Sequence, residues 1–285
     1  VIVNWLPLFH DGGLVAGMIL PLLSGATAIL FSPFTWLRRP YLLFRAITQF
    51  KATYCWMTNS ACNHAVDYIR DEDLQMFDLC SLRGVLVSAE RIVYEHLQRF
   101  QEKFSPCGFE SEMWVAGYGL AENGLSVTIT EPGAHLRVDW VNNKALHEKK
   151  KAACMAGRGK GVTPVISCGT PTWGTEVRIV DKDNQPLKEK KVGEIAIKGK
   201  TLFSGYYSKL EQTDTPPTSG WFLTGDIGYL SENQLYICGR KKDTIIIAGK
   251  NLFPEDIEQA VGRFQLLYGD RVAVLGIWDP NRGEE

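Results

Sequence analysis

Two charged residues, Asp226 and Arg240, each follow a glycine in the last quarter of the sequence, in the segments TGD and GR. They lie 240 − 226 = 14 positions apart, and the polar cluster SENQ between them predicts a hairpin turn. A carboxylate at a glycine corner can accept two hydrogen bonds at once, which suits the two hydroxyls of a ribose. An aspartate in a turn also commonly caps its own backbone, so on the residues alone both interpretations of Asp226 stay open.

A second candidate segment, YGLAE, runs from Tyr118 to Glu122 at the end of a strand-like run. A tyrosine ring at the end of a strand can lie against a nucleotide base. A carboxylate four residues later could bind Mg²⁺ beside phosphates, because this hard cation prefers oxygen ligands. The alternatives are that Tyr118 belongs to the hydrophobic core and that Glu122 is an acid at the beginning of a helix.

The elements that would hold these segments alternate between strand and helix over residues 1–135. The strand-like runs TAILFS, ATYCWMT, LRGVLVSAE and EMWVAGYGL are separated by predicted helices around 38–50, 60–70 and 91–104. This alternation predicts an α/β fold, with a parallel sheet that binds ligands at the carboxyl ends of its strands. Both SAE, at 88–90, and YGLAE, at 118–122, fall at such ends.

After residue 165 the pattern changes to short strands with polar turns between them, which predicts an antiparallel β region. From Asp243 a further unit is predicted, with a strand in TIIIAG, a helix that begins at Pro254 and a strand in RVAVLGIW, residues 271–278. Residues 137–165 are basic, rich in small residues and without a period, which predicts an excursion or a mobile loop. Their KKK run is either a solvated surface or a docking site for an acidic partner.

Composition argues against several classes of function. The 285 residues are 45% hydrophobic and 22% charged with a net charge of −1, so nothing points to a nucleic acid or an anionic membrane as partner. The seven cysteines form no CxxC pair and the five histidines are dispersed, which favours a reduced, cytoplasmic protein without a metal cage of side chains. Residues 12–31 carry no charge, but Pro21 and the pair Ser24–Gly25 predict a helix at 12–23 and a buried strand at 26–31 instead of a membrane span.

Four segments occur in the order LPLFHDGGL, YGLAE, GWFLTGD and GRKKDTIIIAGKNLFPEDIE. In this order they resemble the adenylate-forming superfamily of acyl-CoA synthetases, peptide-synthetase adenylation domains and luciferases, over nearly the whole chain. The first and last segments, and the excursion just before VISCGTP, are most similar to the fatty acyl-AMP ligase branch. The resemblance implies a large N-terminal adenylate-forming domain, with parallel sheets, helices and a small antiparallel β region, followed by the start of a small α+β C-terminal domain.

The resemblance also implies domain bounds and an activity. Residues 1–241 would be part of the large AMP-binding domain, with an insertion at 137–165 and a β-rich subdomain at 166–241, and residues 242–285 would be the hinge and a truncated C-terminal domain. With ATP and Mg²⁺, a fatty acid would be activated to an acyl-adenylate with release of pyrophosphate. A domain rotation would then expose the adenylate to the phosphopantetheine thiol of an acyl carrier protein, and the insertion would disfavour the rotation used with coenzyme A.

Two charged residues and a lysine receive roles from the last two segments. The resemblance implies that Asp226 binds the ribose hydroxyls of ATP, that Arg240 contacts the ribose and the phosphate side, and that Lys242 is the hinge of the C-terminal domain. The hairpin would therefore join the two ends of one nucleotide site.

The earlier segments receive the remaining roles. Tyr118 would stack on adenine, Glu122 would position Mg²⁺, and His10 would lie beside the acyl pocket and the reacting carboxylate. His10 and Glu122 are thus the catalytic candidates. The other nucleotide-binding candidates are Ser88, Ala89 and Glu90 along the adenine, and Gly119, Leu120 and Ala121 near the phosphate and the carboxylate.

The sequence departs from the family pattern in several places. It contains neither the Gly/Ser/Thr-rich phosphate loop ending in Lys-Gly nor the adenylation lysine near the end of the C-terminal domain, so we expect a fragment that is inactive by itself. Gly12 stands where Met is common, and Ser88 and Arg91 stand where Gly and Pro are usual. MTNSACN replaces Pro-Asn-Phe-Ala-Tyr at a wall of the acyl pocket, so no preference for acyl length follows.

Other functions stay open on the sequence. An ordinary acyl-CoA synthetase is the first alternative, and the excursion at 137–165 argues against it. A non-catalytic domain that binds nucleotide or acyl groups belongs to another class, and a longer protein lacking the phosphate loop and the lysine would support it. A soluble α/β domain without a nucleotide site is the last alternative, against which the ordered set of motifs argues.

Overall fold

The computed structural model describes residues 1–207, 220–247, 250–262, 272–276, 278–279 and 283–284. These residues form two compact units. The first unit consists of Val1–Arg137 with Thr201–Phe203, and the second consists of Val138–Lys200 with the described residues after Phe203. The domain boundary predicted at residue 241 stays a prediction.

Strands and helices alternate along the first unit. Its strands are β1 (Ile2–Asn4), β2 (Ala28–Leu30), β3 (Tyr54–Met57), β4 (Gly84–Val87), β5 (Trp114–Gly119) and β6 (Ser126–Ile129). Its α-helices are α1 (Leu20–Ser24), α2 (Pro33–Arg38), α3 (Tyr41–Phe50), α4 (Asn59–Tyr68) and α5 (Tyr94–Phe104). A π-helix, Gly12–Ile19, leads into α1, and short 3₁₀ turns lie at Asp71–Met76, Ser105–Cys107, Ser111–Met113 and Ala121–Asn123.

The strands of the first unit form one sheet in the order β2-β1-β3-β4-β5-β6. Neighbours from β2 to β5 are parallel, and β6 is antiparallel to β5. Val87 at the end of β4 pairs with Ala116 in β5, so the residues that follow these two strands emerge at the same edge of the sheet. This is the parallel arrangement that the β–α alternation predicts.

The helix predicted in the uncharged run at 12–31 is present, but the buried strand predicted at 26–31 is wrong in its burial. Among the described strands, β2 stands at the end of the strand order with a neighbour on one side only, and Ala28 and Leu30 are exposed.

The π-helix and α1 cover the predicted helix, and Gly25 ends it in the left-handed conformation with φ of 66°. A Cβ on Gly13 would lie 2.1 Å from the Pro7 carbonyl oxygen, and one on Gly17 would lie 2.0 Å from Asn4 Nδ2, so this helix lies tightly against the end of β1. In the part of the chain that the structure describes, every helix is too short or too polar to cross a bilayer.

The helix predicted around 38–50 begins later, as α3 at Tyr41, and a separate helix, α2, precedes it. Pro40 disfavours the helical conformation of the residue before it, and Arg39 accordingly has φ of −144° between α2 and α3. The core of this unit is aromatic: the rings of Phe44 and Phe104 are stacked with centroids 4.6 Å apart. Phe100 meets Phe104 at 4.5 Å and Trp114 edge-on at 5.2 Å, which joins α3, α5 and β5.

The second unit is mainly antiparallel. Its strands are β7 (Val138–Asn142), β8 (Val162–Ile166), β9 (Thr170–Pro171), β10 (Thr175–Val180), β11 (Gly193–Gly199), β12 (Phe222–Ser231), β13 (Gln234–Arg240), β14 (Ile245–Ile247), β15 (Lys250–Leu252), β16 (Trp278–Asp279) and β17 (Gly283–Glu284). Its helices are α6 (Asn143–Lys149), the 3₁₀ turn Lys241–Asp243 and α7 (Pro254–Gly262). One sheet has the order β10-β11-β12-β13, as the short strands after residue 165 predict.

Of the two alternatives predicted for residues 137–165, the mobile loop is wrong, because this segment holds two paired strands and a helix. β7 and β8 pair antiparallel over their whole length, from Val138 with Ile166 to Asn142 with Val162. Asn142 caps α6 by accepting a hydrogen bond from Ala145 N at 3.0 Å. Residues 137–165 show no single hydrophobic period because a strand, a helix and an exposed connection follow one another within thirty positions.

The prediction of a strand at 271–278 is also wrong over residues 272–276. Residues 272–276 form no strand, and residues 271 and 277 lie outside the described residues. Val274 N donates to the Glu258 side chain at 2.9 Å, which takes a backbone donor that a sheet would need. Trp278 does belong to a strand, the two-residue β16 paired with β17.

A partly buried hydrogen bond joins the insertion to the antiparallel sheet of the second unit. Tyr229 in β12 is fully buried and donates from its hydroxyl to Asp139 Oδ2 in β7 at 3.0 Å. Its ring is stacked on Tyr236 with centroids 4.8 Å apart. Burial raises the pKa of Tyr229 above its ordinary value, so the phenol stays protonated and remains a donor.

Tyr229→Phe is expected to lower the free energy of unfolding by about 1–3 kcal/mol, because Asp139 loses its buried donor. Since the pKa of Tyr229 is raised, its stabilisation is complete below pH 10, the ordinary tyrosine value, and falls as the pH rises further. Denaturant unfolding at pH 7 measures the loss. Exposed Tyr207→Phe is the matched control, and equal stability of the two variants would contradict the assignment.

Candidate nucleotide site

Asp226 and Arg240 lie directly opposite each other on the hairpin β12–β13. Arg240 Nε donates to Asp226 Oδ1 at 2.9 Å. The Asp226 side chain is 10% exposed, whereas that of Arg240 is 54% exposed. The carboxylate is therefore nearly buried, and the guanidinium extends from it toward solvent.

Glycines give this hairpin its shape around the charged pair. Gly225 has φ of 76°, which turns the chain just before Asp226. Thr224 Oγ1 accepts a hydrogen bond from Asp226 N at 3.1 Å and donates to Ile195 O at 3.0 Å, fixing this corner to β11. A Cβ on Gly239 would lie 2.6 Å from Phe253 Cδ1, so a side chain before Arg240 would displace that ring.

Lys242 follows the pair in the exposed 3₁₀ turn Lys241–Asp243. Lys241, its neighbour, donates to Glu194 Oε2 at 2.6 Å. Thr244 Oγ1 donates to Arg240 O at 2.7 Å, which closes the turn onto the end of β13. These two hydrogen bonds therefore fix the backbone where the turn begins.

In the first unit, the segment Ser88–Glu90 leaves the end of β4 with an unusual backbone. Ala89 has φ of 73°, a conformation that alanine rarely adopts. Ser88 is half-buried, and Ala89 and Glu90 are exposed. The Glu90 carboxylate accepts hydrogen bonds from Ser60 N at 3.2 Å and from Ser60 Oγ at 2.8 Å, so a protein contact already engages both its oxygens.

The segment Tyr118–Glu122 leaves the neighbouring strand β5. Tyr118 is half-buried and pairs with Thr128 of β6, and the register shifts between Tyr118 and Gly119. A Cβ on Gly119 would lie only 1.8 Å from the Leu125 carbonyl oxygen. Glycine is therefore required here, because the backbone just before β6 occupies the place of a side chain.

Leu120, Ala121 and Glu122 follow Gly119. Leu120 and Glu122 are half-buried and Ala121 is exposed, at the start of the 3₁₀ turn Ala121–Asn123. The Glu122 carbonyl oxygen accepts a hydrogen bond from Phe203 N at 2.8 Å. This hydrogen bond fixes the backbone of Glu122, from which its side chain extends.

His10 lies after β1, exposed, at the start of the π-helix. Asp11 Oδ1 accepts a hydrogen bond from Gly12 N at 2.7 Å and lies 2.6 Å from His10 Nδ1. The imidazole is therefore oriented through its Nδ1 side. In the strand order, β3 separates β1, the strand that precedes His10, from β4 and β5.

The structure thus brings the predicted residues together in two sets. In the first unit, the carboxyl ends of the neighbouring strands β4 and β5 carry Ser88–Glu90 and Tyr118–Glu122. In the second unit, one end of the hairpin carries Asp226, Arg240 and Lys242. Sequence reasoning missed the polar residues that support the first set, among them Asn59, Ser60 and Asn123. Asn123 is 3% exposed, donates to Ser126 O at 2.9 Å and accepts from Thr201 Oγ1 at 2.8 Å. Apart from the contact of Asn123 with Ser126, the partners are distant along the chain, so the local sequence carries no signal for these contacts.

The chain matches known proteins over nearly its whole length. The family model described as AMP-binding enzyme matches residues 1–207. The chain belongs to the AMP-binding enzyme family. A long-chain-fatty-acid–AMP ligase of Mycobacterium marinum, FadD26, is 35% identical over 98% of this chain and 49% of its own length. A putative fatty-acid–CoA ligase of Mycobacterium bovis, FadD21, is 35% identical over 97% of this chain and 49% of its own length.

A solved structure agrees with this family assignment. The fatty acyl-adenylate ligase of L. pneumophila, in complex with acyl adenylate and pyrophosphate, has a TM-score of 0.81 and 33% identity. The match covers 98% of this chain and 50% of that one. The chain spans about half the length of the curated relatives it matches. The predicted resemblance to fatty acyl-AMP ligases and the α/β fold class of this AMP-binding chain are confirmed.

Proposed function

We propose that the protein containing this chain uses ATP to activate a fatty acid to an acyl-adenylate, with release of pyrophosphate. The observation that carries the proposal is the 33% identity, over 98% of the chain, to a ligase solved with acyl adenylate and pyrophosphate. The carboxylate of the acid would attack the α-phosphate. Such a displacement needs positioned reactants and neutralised phosphate charge more than covalent chemistry by the protein.

The charged pair of the second unit would bind the ribose. The Asp226 carboxylate would accept from the ribose hydroxyls, while Arg240, held at 2.9 Å by Asp226, would contact the ribose and the phosphate side. Lys242, in the turn that follows, would be the hinge between a domain ending at 241 and the C-terminal domain. The exposed turn between two strands supports this role.

The residues at the sheet edge of the first unit would bind the base and the phosphates. Tyr118 would stack on adenine, with Ser88 and Ala89 beside it, and Gly119, Leu120 and Ala121 would lie near the α-phosphate. The Glu90 carboxylate is engaged by Ser60, so Glu90 would hold the shape of this segment and would not contact the nucleotide through its carboxylate. His10 would present Nε2 to the acyl carboxylate, because Asp11 holds the other ring nitrogen.

Glu122 would supply a ligand to Mg²⁺. Among the described residues no group of three or more histidine, cysteine or acidic side chains could hold a metal by itself. A single half-buried carboxylate fits Mg²⁺ nonetheless, since this ion commonly takes one or two carboxylates and completes its shell with water and substrate phosphates. The ion would neutralise phosphate charge, and Glu122 would fix its place.

We also propose an acyl carrier protein, in the cytoplasm, as the acceptor of the acyl group. The support is the insertion, which contacts the segment after the hinge. His147 Nε2 in α6 lies 3.3 Å from Asp256 Oδ2 in α7, with both side chains nearly buried, and the His147 ring is 5.7 Å from that of Phe253. Contacts of this kind would oppose a rotation of the C-terminal domain that coenzyme A requires.

The test uses the full-length protein with ATP, Mg²⁺ and a medium-chain fatty acid, with and without coenzyme A, and identifies the products by mass. Acyl-AMP that persists in the presence of coenzyme A is the expected result. Conversion to acyl-CoA would make the protein an ordinary acyl-CoA synthetase. If no adenylate forms, the proposal fails and a non-catalytic nucleotide-binding or acyl-binding domain takes its place.

A further inference from the structure

The start of α4 is joined to the segment that follows β4. Thr58 caps the helix, since its Oγ1 accepts a hydrogen bond from Ala61 N at 3.1 Å. The next residue, Asn59, is only 5% exposed. Its side-chain amide points away from its own helix, to the backbone of residues 91–93.

Both ends of the Asn59 amide are used on that backbone. Nδ2 donates to the carbonyl oxygen of Arg91, and Oδ1 accepts from Val93 N at 3.1 Å. A donor and an acceptor on one rigid side chain match a carbonyl and an N–H two residues apart in sequence. Aspartate could not donate to Arg91, and leucine could make neither bond, so the site is specific for an amide.

Ser60 makes the next contact along the same segment. Its backbone N–H and its hydroxyl both donate to the Glu90 carboxylate, at 3.2 Å and 2.8 Å. A carboxylate at the N-terminus of the ten-residue α4 also lies at the positive end of the helix dipole. The contacts at Glu90, Arg91 and Val93 therefore hold three positions of segment 88–93, the residues from Ser88 to Val93.

The held segment contains the unfavourable backbone of Ala89. A φ of 73° at alanine persists only where the surroundings impose it, and functional sites are where such conformations concentrate. The contacts from α4 begin at the residue immediately after Ala89. Among the described residues, these side-chain contacts lie where they can keep Ala89 in this conformation.

We propose that Asn59 is a positioning residue for nucleotide binding, which acts by fixing segment 88–93 from the start of α4. The proposal rests on the proposed function of Ser88 and Ala89 at the adenine. Ser60 and Glu90 assist through their own hydrogen bonds. Asn59 touches no reacting group in this arrangement, so its loss changes the affinity for ATP and leaves the chemical step intact.

The test compares Asn59→Asp with Asn184→Asp in the full-length protein. Asn184 is exposed in the turn between β10 and β11 and belongs to neither set of candidate site residues, so the control makes the same chemical change away from them. Asn59→Asp is expected to raise KM for ATP about 10-fold, the scale of a lost buried hydrogen bond, with kcat for adenylate formation within a factor of about three. Asn184→Asp is expected to change neither. Equal KM values for both variants and the parent would overturn the proposal.

A second variant and a second measurement keep the proposal testable if Asn59→Asp does not fold or if the parent does not bind ATP. Ser60→Ala, at an exposed residue, is expected to raise KM for ATP about 3-fold without lowering Tm. Amide hydrogen exchange in residues 88–93 is expected to be faster in Asn59→Asp than in the parent, whether or not ATP binds. Unchanged exchange would overturn the positioning role, whereas faster exchange with no ATP binding by the parent would refute only the proposed function.

Discussion

ATP binding to the full-length protein is expected to weaken by about 2–3 kcal/mol when Asp226 is replaced by alanine, the scale of losing a charged hydrogen bond. The change removes the carboxylate proposed for the ribose hydroxyls and also the partner that holds Arg240 Nε at 2.9 Å. Calorimetric titration with ATP measures the loss. The fold is expected to tolerate the change, because the hairpin ladder on both sides of Asp226 remains.

Two further variants separate the ribose contact from the ion pair. Asp183→Ala, at an exposed turn residue, is the matched control and is expected to bind ATP as the parent does. Arg240→Ala combined with Asp226→Ala is expected to cost less than the sum of the single changes, because the residues are in contact. ATP affinity equal to that of the parent in Asp226→Ala would refute the ribose assignment.

Gly119→Ala is expected to lower the free energy of unfolding by about 3 kcal/mol or more and to abolish ATP binding. The new Cβ would lie 1.8 Å from the Leu125 carbonyl oxygen, a contact that only a shift of the backbone between β5 and β6 can relieve. Such a shift would move Tyr118 and Glu122 on either side of it. Thermal and denaturant unfolding of the full-length protein measure the stability, and ATP titration measures the site.

Gly124→Ala is the matched control for Gly119→Ala. Gly124 has φ of 78° and open space around the position of a Cβ, so alanine there costs only the backbone conformation, about 1–2 kcal/mol. A loss at Gly119 no larger than that at Gly124 would show that β5 and β6 can move apart. It would contradict the close approach on which the shape of the candidate site depends.

The hairpin that carries Asp226 and Arg240 shows what the sequence could predict well and where local rules stop. A polar turn between alternating strand residues predicts a hairpin, and a hairpin sets its own register from the turn outward. Counted outward from the turn, that register would place Asp226 opposite Gly239. The observed register shifts by one residue between Ile227 and Gly228, and this irregularity places Asp226 opposite Arg240. The sequence predicts the turn and the strands, whereas it carries no signal for the shift.

The support of segment 88–93 shows what the sequence could not predict. Asn59 and Val93 are 34 positions apart, and nothing in MTNSACN indicates that Asn59 contacts another loop. Glu90 was assigned to the nucleotide on the resemblance alone, whereas its carboxylate contacts Ser60. Contacts of this kind depend on which strands become neighbours, and that depends on packing of the whole sheet.

The insertion and the end of the chain show a different limit. Residues 137–165 lack a single period because β7, α6 and β8 each take only five to seven residues. Conversely, RVAVLGIW has a strong strand pattern, yet residues 272–276 form no strand. Periodicity identifies long regular elements, and it is uninformative for short elements and for apolar runs whose partner strand is not determined locally.

The two-residue turn between β12 and β13 has a consequence for the order of folding. Glu232 and Asn233 have φ of 50° and 60°, and Ser231 pairs directly with Gln234, as in a tight hairpin of low contact order. Hairpins of this kind close within about 1–10 μs, long before a parallel sheet of distant strands can assemble. We therefore expect Asp226 and Arg240 to meet early during folding, so that this part of the site forms before the sheet edge that carries Tyr118.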